Sequence, residues 1–184
     1  MDGAMDGFLD ALASEAPAPG AGAAVAVTVA MAAGLLAMFV RSSVDLPDRD
    51  ALAARADDLR AAAFDLIEAD RVAYTRVLEH RPRRRGDPDG FREVVAAANQ
   101  PLLAACQIAD RTVDAGLGAL PAGNPAVRPD LTAGLFLARS AVTVATGLIE
   151  ANTRVGRLSG DDLDRARRHD ASLQQRLDGV VGVG

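Results

Sequence analysis

Residues 23–40 read AAVAVTVAMAAGLLAMFV and contain no charged side chain. A stretch of this length reaches the limit at which a membrane span is considered. However, Ala, Thr and Gly dominate it and partition weakly into lipid, and the charges that precede it are all acidic, unlike those of a signal peptide. A helix that is apolar all round can instead form the centre of a soluble bundle. The stretch therefore predicts a buried central helix rather than a membrane contact.

The composition agrees with a helical core. Of the 184 residues 49% are hydrophobic, but only 3% are aromatic and none is tryptophan. A core filled with Ala, Leu and Val favours close packing of helices, and we find neither an alternating strand pattern nor an internal repeat. The length suits one domain. We predict a single all-α domain over 1–184, a helical bundle with long antiparallel helices around the apolar central helix.

Glycine and proline clusters divide the chain into candidate helices. Pro47 and Asp48 are typical of a helix start, and Pro101 predicts a kink or break within a helix. The tail VVGVG at 180–184 is expected to fray. The predicted helices cover residues 4–14, 23–43, 48–80, 89–116, 130–156 and 160–178.

Charge and cysteine usage exclude several classes of protein. The net charge of −5 argues against nucleic-acid binding. The one dense basic run, RPRRRGDP at 81–88, is either a solvated loop or a rim that steers anions.

Cys106 is the only cysteine, so no disulfide forms within the chain, which suits the cytoplasm; we expect a buried structural thiol. The two histidines and this cysteine lack the spacing of metal ligands, so we expect no metal site.

Two polar side chains interrupt apolar stripes. In the 48–80 helix, the stripe through Leu59, Leu66 and Val77 is completed by Asp70, and in the 130–156 helix the stripe ends on Asn152. Burial of a carboxylate is costly unless it is hydrogen-bonded or its pKa rises. Asp70 is therefore either a candidate general acid/base or the partner of an arginine on another helix. Asn152 either serves a site or makes a hydrogen bond between helices.

The segment APAPGAG at 16–22 leads into the apolar helix. GAGAAV at 20–25 lacks the third glycine of a dinucleotide fingerprint and the Gly-Lys-Ser/Thr ending of a P-loop. Two interpretations remain: glycines that let a ligand approach backbone N–H groups at a helix N-terminus, or a tight turn that relieves crowding.

This segment and four later ones carry a resemblance to a known family. FLDALASEAPAPGAGAA at 8–24 resembles the opening of the formiminotetrahydrofolate cyclodeaminase/methenyltetrahydrofolate cyclohydrolase family, F-x-x-x-L-A-S-x-x-P-x-P-G-G-G-S-x-A. Later landmarks follow in the family's order: IEADRVAY at 67–74, QPLLAAC at 100–106, GNPAVRPDLTAG at 123–134 and LIEANTR at 148–154. The resemblance covers most of residues 6–156.

The resemblance implies a helical homodimer with a folate site between helices. Members hydrolyse 5,10-methenyl-tetrahydrofolate to 10-formyl-tetrahydrofolate, or convert 5-formimino-tetrahydrofolate to the methenyl compound with loss of ammonia, and neither reaction needs a metal or a separate cofactor. Cyclohydrolysis is preferred here, because the sequence contains no second domain that would supply a formimino substrate. By this resemblance Asp70 is the general acid/base. The implied substrate-binding residues are Gly20, Gly22, Asn124, Asp130 and Asn152.

The sequence also departs from the family pattern. Ala21 and Ala23 replace a glycine and a serine of the loop, and Pro129 replaces the serine of a Ser-Asp pair. The lysine that follows the apolar helix in many members has no counterpart; Arg41 is the nearest cation and is the candidate for its role. These departures support an alternative function, a non-catalytic helical dimer that binds a folate-like small anion.

Overall fold

A computed structural model describes residues 3–180, which form seven α-helices and two short 3₁₀ turns and include no β-strand. The helices are α1 (Ala4–Ala13), α2 (Ala21–Arg41), α3 (Arg49–His80), α4 (Pro88–Ala97), α5 (Asn99–Ala119), α6 (Arg128–Gly156) and α7 (Asp161–Leu177). The all-helical prediction is confirmed. Most of the tail that we expected to fray, residues 181–184, lies outside the described residues.

The structure changes one predicted helix into two. The expected helix over 89–116 is interrupted at Ala98, so that Pro101 falls in the first turn of α5. Backbone N–H groups in a first turn have no partner within the helix, and a proline is therefore tolerated there. The break thus precedes the proline, and it places Asn99 at the start of a new helix. Asp48 precedes α3 as predicted, but its side chain makes no capping hydrogen bond.

Helix α2 occupies the centre of the fold. It packs against α3, α5 and α6, and ten of its residues are buried. Small residues bring α2 and α6 close together: a Cβ atom on Gly134 would lie 3.2 Å from the backbone oxygen of Ala32 and 3.0 Å from Cβ of Leu35. The alanine-rich sequence of α2 therefore serves close helix packing.

Within residues 3–180, two helical stretches are long and apolar enough to cross a membrane, Ala21–Arg41 and Pro125–Gly156. Of the 18 most apolar consecutive residues in each, 56% and 44% are buried in the fold. The core helix of a soluble protein has the same length and composition. The predicted burial of α2 is seen directly in Val29, Leu36 and Phe39, which are each 0% exposed.

Cys106 lies in α5 and is 0% exposed. Burial raises the pKa of its thiol to about 12, so the reactive thiolate is absent at neutral pH. The expectation of a buried structural cysteine is confirmed.

Candidate functional site

Asp70 of α3 meets the N-terminus of α2 at Gly22. A Cβ atom built on Gly22 would lie 2.0 Å from Oδ1 of Asp70 and 2.4 Å from its Cγ, so a side chain there and this carboxylate exclude each other. The backbone N–H of Ala23 donates a hydrogen bond to the Asp70 carboxylate. This N–H is one of those that a helix start leaves without an internal partner. Gly22 therefore provides the space through which a carboxylate from α3 caps α2.

The surroundings of Asp70 favour its protonated form. Burial raises the pKa of its carboxyl above the ordinary range, and the hydrogen bond from Ala23 opposes this rise only in part. Within residues 3–180, no arginine lies within ion-pair distance of Asp70. The alternative of an interhelical salt bridge is therefore wrong for the described part of the chain. What remains is a half-buried carboxyl group that can hold or release a proton.

A cavity of about 220 Å³ opens beside this carboxyl group. Four of the residues predicted from the sequence line it together, Gly20, Gly22, Asp70 and Asn152. The rest of the lining was not among the predicted site residues: Pro17 and Ala21, which belong to the loop segment at 16–22, and Tyr74, Ala98, Leu102 and Leu148. A signal for Tyr74 was present, since it follows Asp70 by four residues and so lies on the same face of α3.

Asn152 makes the predicted hydrogen bond between helices and also lies at the cavity. It lines the cavity, and its Nδ2 donates a hydrogen bond to Oδ1 of Asn99, at 3.0 Å. The Nδ2 of Asn99, in turn, donates to Oδ2 of Asp162 at 3.2 Å. Asn99 is 0% exposed, so this chain of amides links α6, α5 and α7 beneath the cavity and fixes the orientation of Asn152.

The other predicted site residues lie at the far end of α2. A helix of this length spans about 30 Å, and Asn124 is attached to its C-terminal end. The Nδ2 of Asn124 donates to the backbone oxygen of Ser42 at 3.0 Å, and its backbone N–H donates to Oγ of Ser43 at 2.8 Å. Its Oδ1 accepts from the backbone N–H of Ala126 at 3.0 Å. Within one chain, Asn124 holds the loop before α6 and does not reach Asp70.

Arg41 and Asp130 belong to the same distant end. Arg41 is the last residue of α2 and is paired with Asp57 of α3. Asp130 is exposed in the first turn of α6, where a helix dipole stabilises a carboxylate. The structure of one chain therefore separates the predicted site residues into two groups. The group around Asp70 lines one cavity together, whereas Arg41 and Asn124 line two separate ones.

The chemistry available around Asp70 is proton transfer. A carboxyl group with a raised pKa, next to an oriented amide and exposed to a small cavity, can act as a general acid and a general base. Among residues 3–180, no group of three or more His, Cys, Asp or Glu side chains is arranged to hold a metal ion.

Comparison with known proteins identifies the family and the fold. The family model described as formiminotransferase-cyclodeaminase matches residues 4–161. A crystal structure of formiminotetrahydrofolate cyclodeaminase from Thermotoga maritima superimposes with a TM-score of 0.83 over 96% of each chain, at 18% sequence identity. That likeness concerns the fold. Among curated protein sequences, none matches the chain.

The family match covers most of the chain and includes all the segments that carried the resemblance. It also includes both groups of predicted site residues. The chain therefore belongs to the formiminotransferase-cyclodeaminase family.

Proposed function

We propose that the protein is a folate one-carbon enzyme that hydrolyses 5,10-methenyl-tetrahydrofolate to 10-formyl-tetrahydrofolate, or forms the methenyl compound from 5-formimino-tetrahydrofolate with loss of ammonia. The observation that carries the proposal is the Asp70 carboxyl group, whose pKa is raised by burial at the edge of a cavity. Membership of the family supports a folate substrate.

Both reactions require the same kind of proton transfer. In the hydrolysis, a water oxygen bonds to the cationic carbon that bridges N5 and N10 and gives up both of its protons as the formyl C=O forms; one proton is transferred to N5 as the bond between this carbon and N5 breaks, and the other is released to solvent. In the deamination, N10 bonds to the carbon of the protonated formimino group, and the proton that N10 loses is transferred to the formimino nitrogen, which leaves as ammonia when its bond to this carbon breaks. We assign both proton transfers to Asp70, because a carboxyl group whose pKa is raised toward neutrality can accept a proton and return it.

The residues around Asp70 have supporting roles in this proposal. Asn152, held by Asn99, positions the substrate with its remaining hydrogen-bonding capacity. Gly20 lies in open space, since a Cβ atom added there would have no neighbour closer than 3.9 Å, and it lets the substrate approach the backbone at the start of α2. Tyr74 is 41% exposed and offers an aromatic face at the cavity.

We also propose that the working unit is a homodimer, for which an exposed apolar face provides the support. Helix α1 contributes no buried residue, and a groove of about 470 Å³ lies between α1, α2 and α3. Its apolar lining includes Met31 and Phe64, which are 45% and 64% exposed. Contiguous apolar surface of this kind marks an interaction site, and we assign a second copy of the chain to it.

The pattern of α2 suggests how two copies meet. Incompletely buried residues recur along α2 and its N-cap at a spacing of three and four: Gly20, Ala24, Val27, Met31, Gly34, Met38 and Arg41. Such spacing places them on one face of the helix. A two-fold axis near Met31 pairs the two α2 helices in opposite directions. The partner's Arg41 then lies beside Gly20, at the entrance to the Asp70 cavity, where a cation would bind the anionic part of a folate.

The direct test is a spectrophotometric assay with purified protein. Loss of the methenyl-tetrahydrofolate absorbance above the buffer rate supports cyclohydrolysis. Appearance of that absorbance from 5-formimino-tetrahydrofolate, with release of ammonia, supports cyclodeamination. If neither rate exceeds that of buffer, the enzymatic proposal fails.

One observation favours a second candidate function, a non-catalytic dimer that binds a folate-like anion. Ala23, at the position where the family pattern has serine, is 0% exposed and carries no hydroxyl group. Binding of folate without turnover in the same assay would favour this candidate. In either case we expect the protein in the cytoplasm, because its single cysteine leaves no disulfide within the chain.

A further inference from the structure

A second cavity, of about 500 Å³, lies between the loop after α3, the start of α4 and the end of α6. Its lining differs from that of the Asp70 cavity. It includes five arginines, Arg84, Arg85, Arg92, Arg154 and Arg157. The basic run at 81–88 therefore contributes to a concave site together with arginines from distant parts of the sequence.

The arginines exceed the carboxylates that face them. Arg92 is paired with Asp89 at 2.7 Å, and Arg154 approaches Glu150 at 3.6 Å. Within residues 3–180, the side chains of Arg84, Arg85 and Arg157 form no ion pair with a carboxylate of the chain. Like charges gathered at one place repel each other. In a chain with a net charge of −5, this local excess of positive charge favours an anionic ligand.

The conformation of Arg157 adds independent support. It ends α6 with φ 50° and ψ 46°, in the left-handed region where glycine or asparagine usually stands. The capping hydrogen bond at this position runs from its backbone N–H to the oxygen of Thr153, and a glycine could make the same bond without a side chain. An arginine in this conformation costs free energy that a glycine would not. Its charged side chain lines the cavity.

We propose that this cavity binds a small molecule with two or more anionic groups of the phosphate or carboxylate type. A guanidinium group binds either of these in a bidentate manner, and the three arginines without a carboxylate partner within residues 3–180 match a ligand that carries more than one negative charge. Pro88, Phe91 and Val155 supply an apolar wall for the uncharged part of the ligand. This site does not depend on the folate proposal, because its residues take no part in the Asp70 cavity.

Isothermal titration calorimetry of the full chain with inorganic triphosphate and with citrate tests the proposal. We expect one ion to bind per chain, with an affinity that falls as salt is added. The double variant R84Q/R85Q should weaken this binding at least about tenfold, since each charge-assisted contact contributes strongly. Tighter binding of triphosphate would indicate a phosphate ligand, and tighter binding of citrate a polycarboxylate.

The same loop provides a matched control. Arg81 and Arg83 belong to the 3₁₀ turn before Arg84, are exposed and do not line the cavity. The variant R81Q/R83Q removes the same charge and should keep the wild-type affinity. If it loses as much affinity as R84Q/R85Q, the effect is one of general charge, and the proposed site is wrong. Failure of both anions to bind the wild-type chain would overturn it as well.

The variant R157G separates binding from folding. Glycine relieves the left-handed conformation, so its thermal midpoint should equal or exceed that of the wild type, while its affinity for the preferred anion falls. If R157G binds the preferred anion as tightly as the wild type does, Arg157 is not part of the site.

Discussion

At the scale of single residues, the site depends on the contact between Asp70 and Gly22. The Asp70 carboxylate needs the space that the missing side chain of Gly22 leaves. In return, it provides an acceptor for a backbone N–H group at the start of α2. The apolar stripe of α3 predicted that Asp70 turns inward. It could not predict which residue Asp70 meets, because periodicity describes one helix and Gly22 belongs to another.

We expect G22A to reduce turnover by about a hundredfold or more, because this is the usual loss when a general acid/base is misplaced. The new methyl group would lie 2.0 Å from Oδ1 of Asp70 and must displace the carboxylate. The matched control is G118A in α5, outside the Asp70 cavity, where an added methyl group would meet no atom within 4 Å. Steady-state kinetics of both variants check this; equal activities would contradict the role given to Gly22.

The raised pKa of Asp70 also predicts how stability depends on pH. Between its unfolded and folded pKa values the native state holds a proton that the unfolded chain has lost, so this group destabilises the fold as pH rises through that window. An asparagine avoids this penalty and can still accept the hydrogen bond from Ala23. D70N should therefore gain more stability over the wild type at pH 7 than at pH 3.

Urea unfolding of both proteins at the two pH values measures this difference. The other acidic groups titrate alike in both proteins and cancel in the comparison. An equal stability difference at pH 3 and pH 7 would mean that burial does not disfavour the Asp70 carboxylate.

At the scale of helices, composition and periodicity predicted most of the fold. The ends of α2, α3, α6 and α7 fall within about two residues of the expected ones, because glycine and proline mark them. The break at Ala98 was not placed correctly, since a proline is expected to interrupt a helix but is also tolerated in a first turn. As a result, no sequence pattern singled out Asn99, which the break brings into the core.

We expect N99A to lower the free energy of unfolding by about 1–3 kcal/mol, the usual cost when buried polar groups lose a partner. Asn99 joins Asn152 to Asp162, and its removal leaves both without that bond. The neighbouring Gln100 is exposed, and Q100A should change stability by less than about 0.5 kcal/mol. Urea unfolding measures both; similar values would show that the chain of amides contributes little.

At the scale of the whole molecule, the predicted site residues occupy both ends of α2. The resemblance to the family identified these residues by their order along the chain, and this order does not show how far apart they lie in the fold. One chain brings Gly20, Gly22, Asp70 and Asn152 together and keeps Arg41, Asn124 and Asp130 away. The binding roles of these three stay predictions, as does the antiparallel order of the long helices. A dimer paired along α2 is the arrangement that would place Arg41 at the cavity.

Mixing two inactive variants tests this arrangement. D70N and R41Q should each lose activity, but an equal mixture, denatured and refolded together, should regain about a quarter of the wild-type activity, because half of the two-fold dimers contain one intact site. Sedimentation analysis confirms that dimers have formed. Activity of the mixture no higher than that of its separate components would place each site within one chain.

The central claim is that Asp70 transfers protons during turnover of a folate one-carbon substrate. Its most direct test is the initial rate at which methenyl-tetrahydrofolate absorbance is lost, measured with wild-type protein and D70N at equal concentrations and corrected for the buffer rate. We expect the wild-type protein to accelerate the loss and D70N to be slower by about a hundredfold or more, with an unchanged circular dichroism spectrum. A D70N rate equal to that of an active wild-type protein would contradict the claim.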